Sequence, residues 1–217
     1  FTWPHMARDV RHYVQSCDHC AALRGSSRGL HGTSGYAPEP TENFECWHAD
    51  LSGPMRVRGE GADTDAIYNC SFMCRRSRYV ESAAIKGKSA VAVLNAFVKR
   101  IVRRYGAPPM VTTDGGHEFD GAFAEALAAA KIRHHRTTPL SHTGNAVLER
   151  FHRVMWERLA LCVPETEVDW DDQIQLAAAQ YNAAVGVGGV SPYAAVFHQR
   201  HRAPTEAAWA PIARHLA

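Results

Sequence analysis

Three acidic residues stand where carboxylates often carry out chemistry in α/β proteins. Asp50 lies near the end of one predicted strand, Asp114 ends another in "VTTDGG", and Glu149 falls in the predicted first turn of a helix. Sites in open sheets gather where strands end and the chain diverges. Converging carboxylates repel one another, and hard divalent ions such as Mg²⁺ or Mn²⁺ relieve that repulsion. Two such ions can clamp the attacking and leaving oxygens of a phosphodiester, so the set suggests phosphoryl transfer on nucleic acid.

Each of these residues also has a structural interpretation. An Asp at a strand end commonly forms a turn or caps a helix, and a Glu in a first helical turn favours the helix dipole from the surface. Only the three together, with their neighbours, favour a metal site.

The cysteines divide into one close pair and four isolated residues. Cys17 and Cys20 form "CDHC", which supplies half of a tetrahedral zinc site. The other four lie in apolar or strand-like runs, where they are predicted to be buried free thiols. This usage indicates a reducing intracellular setting rather than a disulfide scaffold.

Composition excludes some classes of protein. The 217 residues are 46% hydrophobic and 21% charged, typical of a globular protein. Twenty-four Lys and Arg against 22 Asp and Glu leave a net charge of +2, so net charge does not indicate a nucleic-acid partner. No apolar run approaches the roughly 18 residues of a membrane span, so no membrane association is expected.

Periodicity predicts a mixed α/β order of elements. A helix is predicted over 5–16, a Gly/Ser/Pro-rich linker over 24–42, and a first strand over 44–54 with Cys46, His48 and Asp50 on one face. Two further strands form a hairpin, and strands then alternate with helices. One of those helices is predicted to start at Ala146 and another to be capped by Asp169 or Asp171. The pattern predicts a five-stranded mixed sheet flanked by helices.

Several segments resemble a known family in the right order along nearly the whole chain. "CWHADLSGP", "VTTDGGHEF", "GNAVLERFHR" and "SPYAAVFHQRHRAP" resemble the catalytic core of integrases from retroviruses and gypsy-type long-terminal-repeat retrotransposons. "FTWPHMARDVRHYVQSCDHC" resembles the end of the zinc-binding module that precedes that core. The resemblance implies a ribonuclease H-like fold and places the metal-binding acids of the family on Asp50, Asp114 and Glu149.

The resemblance also implies an activity, cofactors and partners. The activity is processing of the 3′ end of element DNA followed by strand transfer into host DNA, with two Mg²⁺ or Mn²⁺ ions. Asp50 would bridge the ions, while Asp114 and Glu149 would each hold one. Zn²⁺ would bind Cys17 and Cys20 in the full-length protein, whose two histidine ligands are expected upstream of Phe1. Element-end DNA, host target DNA and further copies of the chain are the expected partners. The nucleus is the expected location, after a cytoplasmic stage.

The implied domains are a truncated zinc module over 1–23, the linker over 24–42, a catalytic core over 43–203 and the start of a C-terminal extension over 204–217. Basic residues surround Glu149, and the arginines among them would position DNA phosphates without reading sequence. The predicted DNA contacts are Asn145, Arg150, His152 and Arg153, and Arg153 shares the helical face of Glu149.

One departure from the family pattern affects the third acid. Gly144 lies five residues before Glu149, whereas the family commonly has glycine three residues before it. Two alternatives to an integrase stay open: a catalytically inactive or host-adopted DNA-binding derivative, and a ribonuclease H-like nuclease that only hydrolyses. The leading Cys pair and the "SPYAAVF" segment favour an integrase over the nuclease.

Overall fold

The computed structural model describes residues 2–16, 40–55, 66–137, 142–162, 170–185 and 189–202. Its strands form one five-stranded sheet in the order β3-β2-β1-β4-β5. The strands are β1 (Cys46–Met55), β2 (Ile67–Cys74), β3 (Val80–Lys86), β4 (Met110–Thr113) and β5 (Arg133–Arg136). Strands β1 to β3 are antiparallel, whereas β4 and β5 run parallel to β1. The predicted mixed sheet is therefore confirmed.

Seven α-helices are described, and none of them combines the length and apolar character needed to cross a bilayer. They are α1 (Met6–Ser16), α2 (Ala90–Phe97), α3 (Arg103–Tyr105), α4 (Ala122–Ala129), α5 (His142–Cys162), α6 (Trp170–Ala183) and α7 (Pro192–Phe197). A π-helical segment, Val98–Val102, joins α2 to α3, and a 3₁₀ turn, His117–Phe119, precedes α4. Ser89 caps α2, and Gly106 ends α3 with φ +86°.

The sheet is covered on both faces. On one face, which we call the aromatic face, Trp47 and Phe72 pack against Phe97 of α2 and Phe123 of α4. On the other face, Met73 and Val80 pack against α5 and α6 through side chains that include Phe151, Met155 and Ile174. This second face also carries Asp50, so we call it the carboxylate face. Alternation of side chains along β1 separates the two sets, as the sequence predicted.

The start of helix α5 differs from prediction. Helix α5 begins at His142 instead of Ala146, so Glu149 lies about two turns into the helix and not in its first turn. The dipole argument for Glu149 therefore fails, because the dipole acts within the first turn. Gly144 falls inside α5, although glycine has a low intrinsic helix propensity.

Of the two predicted caps of α6, Asp169 lies outside the described residues and Asp171 lies inside the helix. The helix begins at Trp170, and the Asp171 carboxylate accepts a hydrogen bond from the backbone nitrogen of Ala84 at 2.9 Å. Arg100 forms an ion pair with the same carboxylate at 2.9 Å. In α6, Asn182 pairs with both backbone groups of Val80, each at 2.8 Å. These contacts provide hydrogen-bond partners for backbone groups of Val80 and Ala84 on the outer edge of β3, which would otherwise be unpaired.

Candidate functional site

Strand pairing brings Asp50 and Asp114 together. Strands β1 and β4 are parallel neighbours, and His48 lies opposite Thr112 in their register. Asp50 and Asp114 each lie two residues beyond that pair, so the two carboxylates come from the same level and the same face of the sheet. The sequence predicted both acids near strand ends. Asp114 directly follows β4, whereas Asp50 lies in the middle of β1, opposite Ser71 of β2. Only the strand order makes the two acids neighbours.

Local hydrogen bonds fix the two aspartates. The backbone nitrogen of Leu51 donates to Asp50 Oδ1 at 2.8 Å, and that of Gly116 donates to Asp114 Oδ1 at 2.9 Å. The second bond is the turn-forming role that an Asp at a strand end commonly has. It occupies only one lone-pair direction of one oxygen, so Asp114 keeps acceptor capacity for a cation.

Burial and neighbouring carboxylates raise the pKa of Asp50. Its pKa is raised from 3.8 to about 7, first by burial and next by the charge of Asp114. Glu149 and Glu118 act in the same direction, while the hydrogen bond from Leu51 opposes them. A buried carboxyl group among three others, with its ionisation suppressed, is the arrangement that a divalent cation would relieve.

Glu118 also belongs to this group, although it is not among the predicted site residues. It lies in the 3₁₀ turn after β4, and a Cβ atom placed on Gly116 would meet its carboxyl carbon at 2.8 Å and Asp114 Oδ1 at 3.0 Å. The glycine therefore lets the Glu118 carboxylate fold back beside Asp114. The glycine turn in "TDGGHE" was the available signal.

The carboxylates around Asp50 do not form a complete metal-coordination site in this structure. Among the described residues, no three His, Cys, Asp or Glu side chains lie close enough to hold one ion. Asp50 is largely buried, whereas Glu149 is exposed on α5. The all-oxygen donor set fits Mg²⁺ or Mn²⁺ in its chemistry.

His152 lies beside this group and not on the outer surface of α5. Its Nδ1 is 3.6 Å from Asp50 Oδ2, and only 7% of the residue is exposed. Burial lowers the pKa of His152 from 6.5 to about 4, so the ring is neutral at pH 7. The predicted contact between His152 and DNA is therefore not supported, because helical periodicity alone did not reveal which side of α5 packs on the sheet.

The other predicted contacts have different outcomes. Arg150 and Arg153 are exposed on α5 and form no ion pair with another described residue. The backbone of Asn145 lies in α5, but its side chain is outside the described set. Cys17 and Cys20 also lie outside the described residues. For all of these the predicted roles stay predictions.

Comparisons with known proteins show which proteins this chain resembles. Residues 1–26 match the integrase zinc binding domain family. The chain is 24% identical over 206 residues to the retrovirus-related Pol polyprotein from transposon 412 of Drosophila melanogaster. That alignment covers 94% of this chain and 16% of the polyprotein, so the chain spans only a small part of its relative.

Solved structures of integrases share the fold. The catalytic core domain of BIV integrase superposes with a TM-score of 0.57 at 20% identity, covering 71% of this chain and 95% of the core. The simian T-cell lymphotropic virus intasome, in complex with PP2A regulatory subunit B56 gamma, gives a TM-score of 0.62 at 15% identity. That match covers 92% of this chain and 69% of the viral chain.

The five-stranded mixed sheet with helices on both faces is thus the fold of retroviral integrase catalytic cores, which is ribonuclease H-like. The resemblance to retroviral and retrotransposon integrases, stated from the sequence, is confirmed.

Proposed function

We propose that this protein is a metal-dependent polynucleotidyl transferase that processes the 3′ end of element DNA and joins it to host DNA. The observation that carries the proposal is the parallel pairing of β1 with β4, which places Asp50 and Asp114 at one level on the same face of the sheet. Carboxylates on adjacent strands supply the oxygen ligands that Mg²⁺ and Mn²⁺ prefer. The integrase-core fold and the integrase-like relatives support this assignment.

The chain's own residues supply position and charge. Asp50, Asp114 and Glu149 would hold Mg²⁺ or Mn²⁺, which when bound lowers the charge on the phosphodiester and activates the attacking oxygen. Parallel pairing of β1 with β4 fixes the spacing of the two aspartates. Burial of Asp50 excludes water from one side of the site.

Both proposed reactions exchange one phosphorus–oxygen bond for another. In end processing, a water oxygen bonds to phosphorus and the 3′-oxygen of the retained strand leaves. In strand transfer, that exposed 3′-hydroxyl oxygen attacks a phosphorus of host DNA, whose own 3′-oxygen leaves. The proton lost by the nucleophile balances the proton gained by the leaving oxygen, and no covalent enzyme intermediate is needed.

The remaining features belong to the same proposal. Cys17 and Cys20 would bind zinc in the full-length protein, as the match of residues 1–26 to a zinc-binding family suggests. Solved HTLV-2 integrase cores are described as trimeric and dimeric forms in complex with magnesium, which supports a homo-oligomer and magnesium here. Joining to chromosomal DNA would take place in the nucleus, after a cytoplasmic stage.

The test joins a labelled DNA end to target DNA in the presence of Mg²⁺ or Mn²⁺. Glu149→Gln should reduce joining to background while leaving the melting temperature unchanged, because Glu149 is exposed. Glu157→Gln, two turns along the same helix, is the matched control and should join normally. Joining that survives Glu149→Gln removes Glu149 from the site.

Calorimetry separates the remaining alternatives. Wild-type protein should bind Mn²⁺, and Asp50→Asn should weaken that binding. If the protein binds DNA but does not bind Mn²⁺ and does not join ends, it is the inactive derivative. A protein that cleaves DNA with metal but never joins ends is the hydrolytic nuclease.

A further inference from the structure

Strand β5 uses two of its four basic side chains to hold the fold. His134 Nε2 lies 2.9 Å from Thr113 Oγ1, and its ring packs edge-on against Phe123. Arg136 forms an ion pair with Asp120. His134 and Arg136 alternate with the other two residues of β5, so they share the aromatic face of the sheet.

The other two side chains of β5 have no such role. Arg133 and His135 are exposed, and neither forms a hydrogen bond or an ion pair through its side chain with another described residue. Register places them on the carboxylate face, because Arg133 lies opposite Met110 and His135 opposite Thr112. In β5, His134 and Arg136 therefore contact structural partners, whereas Arg133 and His135 are left in solvent.

The register also gives their distance from the candidate site. His135, Thr112 and His48 lie at one level across three parallel strands, and Asp114 and Asp50 occupy the next level on the same face. One level is about 6.6 Å along a strand, and neighbouring strands are about 4.8 Å apart. The Cα atom of His135 is therefore about 8 Å from that of Asp114, and Arg133 continues the row away from the acids.

A phosphodiester that reaches the carboxylates brings neighbouring phosphates across this face. The carboxylates repel those phosphates, so unpaired basic side chains next to the acids would offset the repulsion. Strand β5 is at the edge of the sheet, so a nucleic-acid strand can approach it from the side. Contacts of this kind position a strand without reading its sequence.

We propose that Arg133 and His135 form a phosphate-binding strip on the carboxylate face, which holds the DNA strand leading into the Asp50–Asp114 site. This inference rests on the proposed function, since it takes DNA as the substrate. It adds a contact surface on β5 to the contacts predicted on α5.

The test measures binding of the 217-residue chain to a fluorescent DNA duplex by anisotropy in EDTA, so that metal chemistry does not contribute. Arg133→Glu should weaken binding at least about tenfold and lower the salt dependence by about one unit of slope. His135→Ala should weaken binding less. Arg103→Glu is the matched control, because Arg103 is exposed on α3, beside the aromatic face, and changes the net charge equally.

The outcomes separate this inference from the proposed function. If Arg133→Glu and Arg103→Glu lose the same amount of DNA affinity, the effect is one of general charge and the proposed phosphate-binding strip is wrong. The proposal is also wrong if the wild-type protein binds no DNA. Unfolding temperatures of the two variants verify that the fold is kept. If Arg133→Glu alone weakens binding while wild-type protein never joins ends with metal, the strip stands and the catalytic proposal fails.

Discussion

Removing the charge of Asp50 should stabilise the metal-free protein in a pH-dependent way. The pKa of this carboxyl is raised from 3.8 to about 7, chiefly by burial and by Asp114. Because the folded-state pKa lies above that of the unfolded chain, the stabilising contribution of the protonated form is full below about pH 4. It is lost as pH rises through 7. Asp50→Asn keeps an oxygen that accepts the Leu51 hydrogen bond and cannot ionise.

The size of the effect follows from the shift. Each unit of pKa difference is worth about 1.4 kcal/mol, so ionisation of Asp50 costs about 4 kcal/mol of folding free energy above pH 7. Between pH 5 and pH 8 the stability of the wild-type protein should fall by about 3 kcal/mol relative to Asp50→Asn. Only 17% of the Asp50 side chain is exposed, so solvent screening reduces these values little.

Urea unfolding followed by circular dichroism measures this difference at several pH values in EDTA. Glu125→Gln, an exposed carboxylate on α4, is the control and should show no such trend relative to wild type. Adding Mn²⁺ at pH 8 should stabilise the wild-type protein and leave Asp50→Asn unchanged, because only the native carboxylate site binds the ion. The reasoning would be refuted if the difference in free energy of unfolding between wild type and Asp50→Asn changed by less than about 1 kcal/mol from pH 5 to pH 8.

Two further predictions concern buried polar contacts that hold β3. Asn182→Leu should lower the free energy of unfolding by about 2–4 kcal/mol, because both backbone groups that Asn182 pairs with at the sheet edge lose their partner. Gln180→Ala, exposed on the same helix, should change stability by less than about 0.5 kcal/mol in the same urea titration. Arg104→Met should cost about 1–3 kcal/mol, because Glu81, only 7% exposed, loses its ion pair. Arg103→Met is the exposed neighbour for comparison, and equal thermal shifts for the two arginine variants would contradict this role.

The sequence predicted most of the fold because its signals are local. Alternation along β1 separated Asp50 from Trp47, and periodicity predicted that a hairpin is followed by alternating helices and strands. These patterns depend on residues within a few positions of one another, so a single sequence contains them.

The site was harder to predict because its geometry depends on long-range pairing. Asp50 and Asp114 were each predicted near a strand end, yet Asp50 lies in the middle of β1 and the adjacency of the two acids depends on β4 lying beside β1. Glu118 was not among the predicted site residues, although the turn at Gly116 folds it back beside Asp114. His152 was assigned to the surface of α5, whereas packing on the sheet buries it.

The sequence by itself determined the types of residue that can act: the acids, the basic strand β5 and the cysteine pair, together with the order of strands and helices. Tertiary structure alone decided which acids share a level of the sheet, which face of α5 is buried and which basic side chains of β5 are left in solvent. The physical reason is that strand register and helix packing are set by contacts between residues far apart in the chain. Those contacts also desolvate Asp50 and place other carboxylates around it, which no local pattern encodes.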